Sequence, residues 1–321
     1  MPTLRKKTAR AGNKPKESES SRSKQVANQT DRQKVLASFN RKINLFLMLA
    51  AFTNTLLISL FVGTGFIAQQ VTVVDNPADV ANSFGLIGYM IFAAAAMLLV
   101  LRFYKGKLLF QLMEYGLIAT SAEVFGAVFL PGYDLYLVVI AVAARLLLPR
   151  FQTLLLLFAS MVVGAILGSS LDFVPVAVFA ILLAAYDYIA VFRTKHMIAL
   201  AEGLSERQAA FSIKIGIRQA EKKGKDAPAA KAIPTGRGGI ELGLGDFLIG
   251  IMLSVSALKI GTFPSFGYGL ASVIGASAGL ALMFYFLEKK GGFFPAVPPI
   301  AAGSLLCIFS YWCASSLFGI A

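Results

Sequence analysis

The chain has 321 residues, 57% of them hydrophobic, with a mean hydropathy of +0.70, and its apolar residues gather in repeated runs of about membrane-spanning length. Such runs exclude an ordinary soluble core. The formal net charge of +13 would suit a nucleic-acid binder, but twelve of the 30 Lys and Arg residues precede Ile43 and ten lie between Arg193 and Arg237; flanking apolar runs, they report topology and not a groove-binding surface.

Residues 1–42 are polar, rich in Lys, Arg, Ser, Gln and Asn, and lack a hydrophobic period. This composition predicts a basic disordered cytoplasmic tail. A secretory signal is excluded because the first apolar run begins only after some forty residues and is too long for a cleaved core.

Nine spans follow, at about 43–68, 85–102, 108–130, 133–149, 151–169, 173–192, 242–260, 266–287 and 298–319. The expected fold is therefore an all-α polytopic membrane protein with nine transmembrane helices. Helices one to six fall within 43–192, a largely flexible cytoplasmic loop occupies 193–241, and helices seven to nine fall within 242–321.

Loop charges give the orientation. With the basic tail inside, the inner loops carry Arg102, Lys105 and Lys107, then Arg150, then the ten basic residues from Arg193 to Arg237, then Lys289 and Lys290. The outer loops hold Asp75, Asp79, Asp134 and Asp172, and only Lys259 breaks the pattern. Lys and Arg near span ends set orientation, so the N-terminus is expected inside and the C-terminus outside, most simply in a cell membrane.

The latter half of the long loop, "KKGKDAPAAKAIPTGRGG", reads as a linker. Its earlier part alternates Phe211, Ile213, Ile215 and Ile217 with Ser212, Lys214, Gly216 and Arg218. That period of two favours a short strand over a helix. It is either an amphipathic segment resting on the membrane surface or an edge that pairs with an extended peptide.

Ionisable residues inside apolar spans are costly and are mostly functional or paired. Glu114 in the third span and Arg145 in the fourth lie at similar depth in antiparallel neighbours and are expected to pair structurally. Glu123 has no evident partner and is expected to face the bundle interior. Asp187 and Asp246 form a different kind of set. Asp187 lies six residues before Arg193 and Asp246 five after Glu241, so each is roughly 7–9 Å from the inner surface at the helical rise. Two consecutive antiparallel spans thus bring two carboxylates to one level, with no Lys or Arg nearby in either span.

Two carboxylates in a low-dielectric site cannot both ionise cheaply, so the pair tends to share one proton. In that state the ionised carboxylate takes a proton from a water while the protonated one polarises a carbonyl and later feeds the leaving amine. This chemistry needs two carboxylates and a water. It requires no metal and no cofactor, and two Cys and one His spell neither.

Gly243 and Gly245 clear side chains from the approach to Asp246 and tolerate non-helical dihedrals; the bland reading is helix packing, as for Gly275 and Gly279 in the eighth span. "GGFFPAVPPI", Gly291 to Ile300, precedes the ninth span. There Pro295, Pro298 and Pro299 are expected to forbid a regular helix and to expose carbonyls to an inner-leaflet cavity.

Tyr186-Asp187, Gly243-Leu244-Gly245-Asp246 and Pro295-Ala296-Val297-Pro298 resemble the YD, GxGD and PAL signatures of presenilins and signal peptide peptidases. The similarity covers the whole membrane region. Its one departure is Val297 where the PAL motif has Leu, one methylene fewer and a change of branching. The resemblance implies an intramembrane aspartyl protease with Asp187 and Asp246 as catalytic dyad. It further implies that Tyr186, Gly243, Leu244, Gly245, Pro295, Ala296 and Val297 shape the substrate cleft, and that the partners are transmembrane-helix substrates in a lipid bilayer. The inferred orientation is similar to that of presenilin, and the compact loop resembles a microbial homologue acting without accessory subunits. A homo-oligomer is left open.

Two other readings share these features. A proton-coupled transporter or channel also uses membrane carboxylates and broken spans, but its site is expected at the midplane. A prepilin-peptidase-like enzyme shares the G-x-G-D chemistry beside the membrane. Cys307 and Cys313, six residues apart, point roughly 240° from one another on a helix and cannot bridge. His196 is expected to be an interfacial anchor.

Overall fold

The computed structural model describes residues 16–104, 106–194, 212–215, 240–290 and 294–318. Among them are nine helices: α1 (Lys16–Ala68), α2 (Ala81–Phe103), α3 (Leu108–Phe129), α4 (Asp134–Leu147), α5 (Gln152–Ser170), α6 (Phe173–Ile189), α7 (Leu244–Ala257), α8 (Phe266–Lys290) and α9 (Val297–Phe318). Seven of these positions hold a helix long and apolar enough to cross a membrane, and α7 is a shorter apolar one. The chain is an integral membrane protein.

Two short helices have different remedies for their length. At 14 residues, α7 rises only about 21 Å against a hydrocarbon thickness of about 30 Å. The strand β2 (Ile240–Gly243) runs directly into it, and extended backbone covers distance at about 3.3 Å per residue. Strand plus helix therefore reach across where the helix alone does not. The equally short α4 is followed by a 3₁₀ turn at Pro149–Phe151.

The strand expected from the period of two is present as β1 (Ser212–Ile215). Its partner was not expected. β1 pairs antiparallel with β2, with Ser212 opposite Gly243 and Ile215 opposite Ile240, so residues 242 and 243, assigned above to the seventh span, begin it as strand. Phe211, Ile217, His196 and the linker-like half of the loop lie outside the described residues.

The polar N-terminal segment also differs from expectation. α1 opens at Lys16, so residues 16–42 continue the first span's helix. Lys, Glu, Gln, Arg and Ala extend a helix readily once an apolar segment has nucleated it, at one hydrogen bond per residue added.

The core centres on α7. From Phe247 to Ala257 all its side chains are buried except the half-buried Leu248, which is how a helix apolar on every side behaves. It packs against α1, α5, α6, α8 and α9. Ser254 Oγ meets Ser272 Oγ at 3.1 Å, and Ser304 Oγ donates to the Ser272 carbonyl at 3.2 Å, fastening α7, α8 and α9 with hydrogen bonds that lipid cannot replace. Between α8 and α9 the backbones touch: a Cβ at Gly275 would collide with the Gly303 carbonyl, and one at Gly279 with the Pro299 carbonyl. Their packing role is as expected. By contrast α2 packs chiefly against α6 and buries only Ser83 and Leu101.

Glu114 and Arg145 do pair. Arg145 Nε donates to Glu114 Oε1 at 2.6 Å, with the Glu114 side chain only 3% exposed. Gln152 Nε2 donates to both Glu114 oxygens, at 3.0 and 3.2 Å, a third member that the sequence reading did not include. Lys259, the exception to the charge pattern, donates to the Leu171 carbonyl at 3.1 Å and lies 3.4 Å from Asp172 Oδ1, so its charge is spent on the turn between α5 and α6. Glu123 departs from expectation: it is exposed on the outer face of α3, because Ile118, Ser121 and Ala122 already occupy the buried face. Cys307 and Cys313 are both free.

Candidate active site

Asp246 is the third residue of α7, and Gly243 caps that helix. This position follows from the motif: a carboxylate three residues after the cap can reach back to the cap's own N–H. Here the Gly243 N–H donates to Asp246 Oδ2 at 3.1 Å. The carboxylate thus sits among the unpaired N–H groups of a first helical turn.

The two glycines divide the work differently from expectation. Gly243 has φ −66° and ψ 147°, extended backbone that any residue adopts, so freedom of dihedral is not its use. A Cβ there would lie 3.2 Å from Asp246 Oδ2, tight enough to press on the carboxylate. A Cβ on Gly245 would meet nothing within 4 Å, and Gly245 is exposed. No internal packing calls for glycine at 245; what it leaves is open backbone one residue from Asp246.

Asp187 lies in the last turn of α6, which continues as a π-helical turn over Ala190–Thr194. Single π turns within helices recur at functional sites. Its carboxylate lies beside the Val297 backbone N–H and is close enough for Asp246 to feel its charge. Both aspartates are partly buried. Two groups far apart in sequence, on neighbouring antiparallel elements, are thus brought together at one level, as the depth argument anticipated.

The proline segment requires a correction. α9 begins at Val297, so Pro298 and Pro299 lie inside its first turn, where a missing N–H would have had no helical partner and a fixed φ suits the helix. Only Phe294–Ala296 is non-helical among the described residues of this segment. Its contribution to the site is a donor: the first-turn N–H of Val297, directed at Asp187. Pro295, Ala296 and Val297 are buried, so the Val297 side chain serves packing while its backbone serves the carboxylate. The Val-for-Leu departure leaves that N–H in place.

Tyr186 and Leu244 are partly buried against the main core. The sequence reading missed an aromatic run beside Asp187: Tyr188 and Phe192 have ring centroids 4.9 Å apart, and Phe192 and Phe294 6.2 Å. The four-residue spacing of Tyr188 and Phe192 was its signal. A cavity of about 370 Å³ lined by Ile67, Gln70, Val71, Thr72, Ser169 and Lys259 lies at the opposite end of α7 and has no part in this site.

A membrane-embedded helical bundle with paired aspartates on adjacent spans has the architecture of an intramembrane aspartyl protease. The family model for signal-peptide peptidase, presenilin aspartyl protease matches residues 49–318. The chain belongs to that family. Two solved structures of a presenilin family intramembrane aspartate protease, in space groups C222 and P2, share its fold at 24% identity and cover 84% of this chain, with TM-scores of 0.61 and 0.56. This chain covers 99% and 96% of them, respectively. No curated protein sequence matches it.

Proposed function

We propose that Asp187 and Asp246 are the catalytic dyad with which this chain hydrolyses peptide bonds inside single-span transmembrane substrates. The observation that carries the assignment is their convergence from α6 and α7, with the Val297 N–H beside Asp187 and the Gly243 N–H donating to Asp246. Fixing one oxygen of Asp246 leaves its other oxygen and the Asp187 carboxylate to a water between them.

The steps balance without a further reactant. The ionised carboxylate takes a proton from the water, whose oxygen bonds to the scissile carbonyl carbon. The protonated carboxyl meanwhile donates to the carbonyl oxygen. Collapse of the resulting gem-diol breaks the C–N bond as a proton passes to the amine, giving one new carboxyl and one new amino terminus. A helical carbonyl is shielded and hydrogen-bonded, so the substrate is unwound locally before attack.

The lightly packed α2 suits sideways entry from the bilayer. The unwound strand then pairs with a free edge of the β1–β2 sheet, which leads straight into Asp246. Deleting residues 209–219 is expected to abolish cleavage of a transmembrane peptide while leaving membrane insertion intact. Unchanged cleavage would remove the pairing step from the mechanism.

Gly245→Val tests the approach itself. Because the added side chain meets no neighbour, thermal stability is expected to stay near wild type. The rate constant kcat/KM for a transmembrane peptide is expected to fall at least about tenfold, about 1.4 kcal/mol of transition-state stabilisation. Full activity in the variant would show that no substrate backbone passes there.

The orientation proposed is N-terminus and long loop cytoplasmic, C-terminus outside, in the cell membrane. It rests on the Lys and Arg bias, to which the Lys259–Asp172 contact removes the exception. The test of the whole reading is cleavage of a labelled transmembrane peptide by the purified chain, with each aspartate replaced separately.

A further inference from the structure

Lys259 breaks the charge pattern of the loops, and no step of the proposed hydrolysis uses it. Its side chain is only 18% exposed, an expensive place for an ammonium group unless partners meet it. Those partners are the Leu171 carbonyl at 3.1 Å and Asp172 Oδ1 at 3.4 Å. Leu171 closes α5, and Asp172 is the cap residue from which α6 starts. The contact therefore ties the outer end of α7 to the outer end of α6, the two helices that carry the aspartates. Among the described residues no other side-chain hydrogen bond joins those two ends.

The lengths on either side of this tie match. Asp187 lies fifteen residues beyond Asp172 along α6, and Asp246 thirteen before Lys259 along α7, about 22 and 20 Å at the helical rise. The chain stays wound up to the lysine, since the Leu258 and Lys259 N–H groups donate to the Val255 and Ser256 carbonyls, both at 3.1 Å. Packing does not hold this end by itself, because a cavity of about 370 Å³ opens beside it with Lys259 in its wall. The rise of a helix is fixed, so two helices pinned level at one end keep groups at equal distances level at the other.

We propose that Lys259 is a positioning residue for the dyad, pinning α7 to the start of α6 so that Asp246 and Asp187 meet at one depth. The inference rests on the dyad assignment. It gives a reason for a basic side chain at the outer end of the seventh span, against the Lys and Arg bias. The buried Leu171 offers the main anchor, one of the carbonyls that a helix end leaves without a helical partner; Asp172 is farther from Nζ and nearly half exposed. Misplacing a reacting group by about 1 Å can cost about 10²-fold in rate, so loss of the pin falls on the chemical step.

The test compares Lys259→Met, Lys259→Arg and Asp172→Asn with wild type in lipid vesicles, by kcat and KM for a transmembrane peptide and by thermal unfolding. Lys259→Met keeps the length of the side chain without its donors, and kcat is expected to fall about tenfold or more with KM within about twofold. Lys259→Arg, which keeps the charge and the donors, should recover kcat to within about threefold of wild type. Asp172→Asn should stay within the same range, because the Leu171 carbonyl remains. Ser254→Ala is the control for stability: it removes the buried hydrogen bond between α7 and α8 and should lower the unfolding temperature without the loss of kcat. Where Lys259→Met yields too little folded protein, Lys259→Gln, uncharged and one atom shorter than lysine, takes its place under the same criteria. A kcat within about threefold of wild type without the lysine, a loss seen in KM instead, a loss that arginine does not recover, or an equal loss in Ser254→Ala overturns the proposal. Cleavage that survives replacement of either aspartate overturns the dyad assignment instead, so the two failures are distinct.

Discussion

Asp187→Ala and Asp246→Ala, each alone, are expected to lower hydrolysis of a labelled transmembrane peptide by about 10³-fold or more. Proton transfer by one positioned group is worth roughly 10² to 10⁴, and here each loss also removes the group that orients the water. The two roles depend on each other, so the double variant should be no slower than either single one by any large factor. Folding is expected to survive. Asp187 is partly buried, and the Val297 N–H beside it is a first-turn donor that water can meet. A variant with either aspartate replaced that still cleaved at a tenth of the wild-type rate would end the dyad assignment, whatever the other variant did.

Gly279→Val should harm both stability and activity. The new Cβ would fall on the Pro299 carbonyl, backbone that cannot rotate away as a side chain could, so α8 and α9 must separate. Overpacking of this kind costs typically about 1–3 kcal/mol and at times more. Pro299 is two residues beyond Val297, whose N–H lies beside Asp187, so the displacement reaches the site directly. Thermal unfolding in detergent and peptide cleavage should therefore decline together. Gly116→Leu is the matched control, since it adds more bulk where nothing stands within 4 Å. An unchanged unfolding temperature in Gly279→Val would contradict the close α8–α9 approach.

The glycines show how far sequence carries. Gly279 was expected to pack helices, but Gly243 and Gly245 read alike beside Asp246, and the three do three different things. Gly279 lets two backbones touch, Gly243 keeps a side chain off a carboxylate, and Gly245 meets nothing. Sequence spacing cannot separate these roles because each is defined by what stands opposite. The same limit explains Glu123: its depth was legible, but its face depends on which side of α3 packs against α4 and α5.

Proline misled for a related reason. Three prolines in five residues argue against a helix when each is judged as an interior residue, but at the first turn the missing N–H has nothing to lose. Where α9 starts is decided by its packing on α6, α7 and α8, and with it the fact that Val297 contributes a backbone donor. Likewise the strand at β1 was legible from its alternation. Its pairing with β2, and so the coupling of the long loop to Asp246, was not.

What the sequence determined by itself was the membrane class, the order of the spans, the pairing of Glu114 with Arg145 and the common depth of Asp187 and Asp246. These follow from one-dimensional quantities, hydropathy and residue count, because a bilayer fixes length and a helix fixes rise. Tertiary structure alone decided which faces meet: the central place of α7, the N–H group that holds Asp246, the partner of Lys259 and the exposure of Glu123. Lipid is as apolar as the residues it surrounds, so hydrophobicity places helices in the membrane but does not choose their neighbours; close packing and hydrogen bonds do.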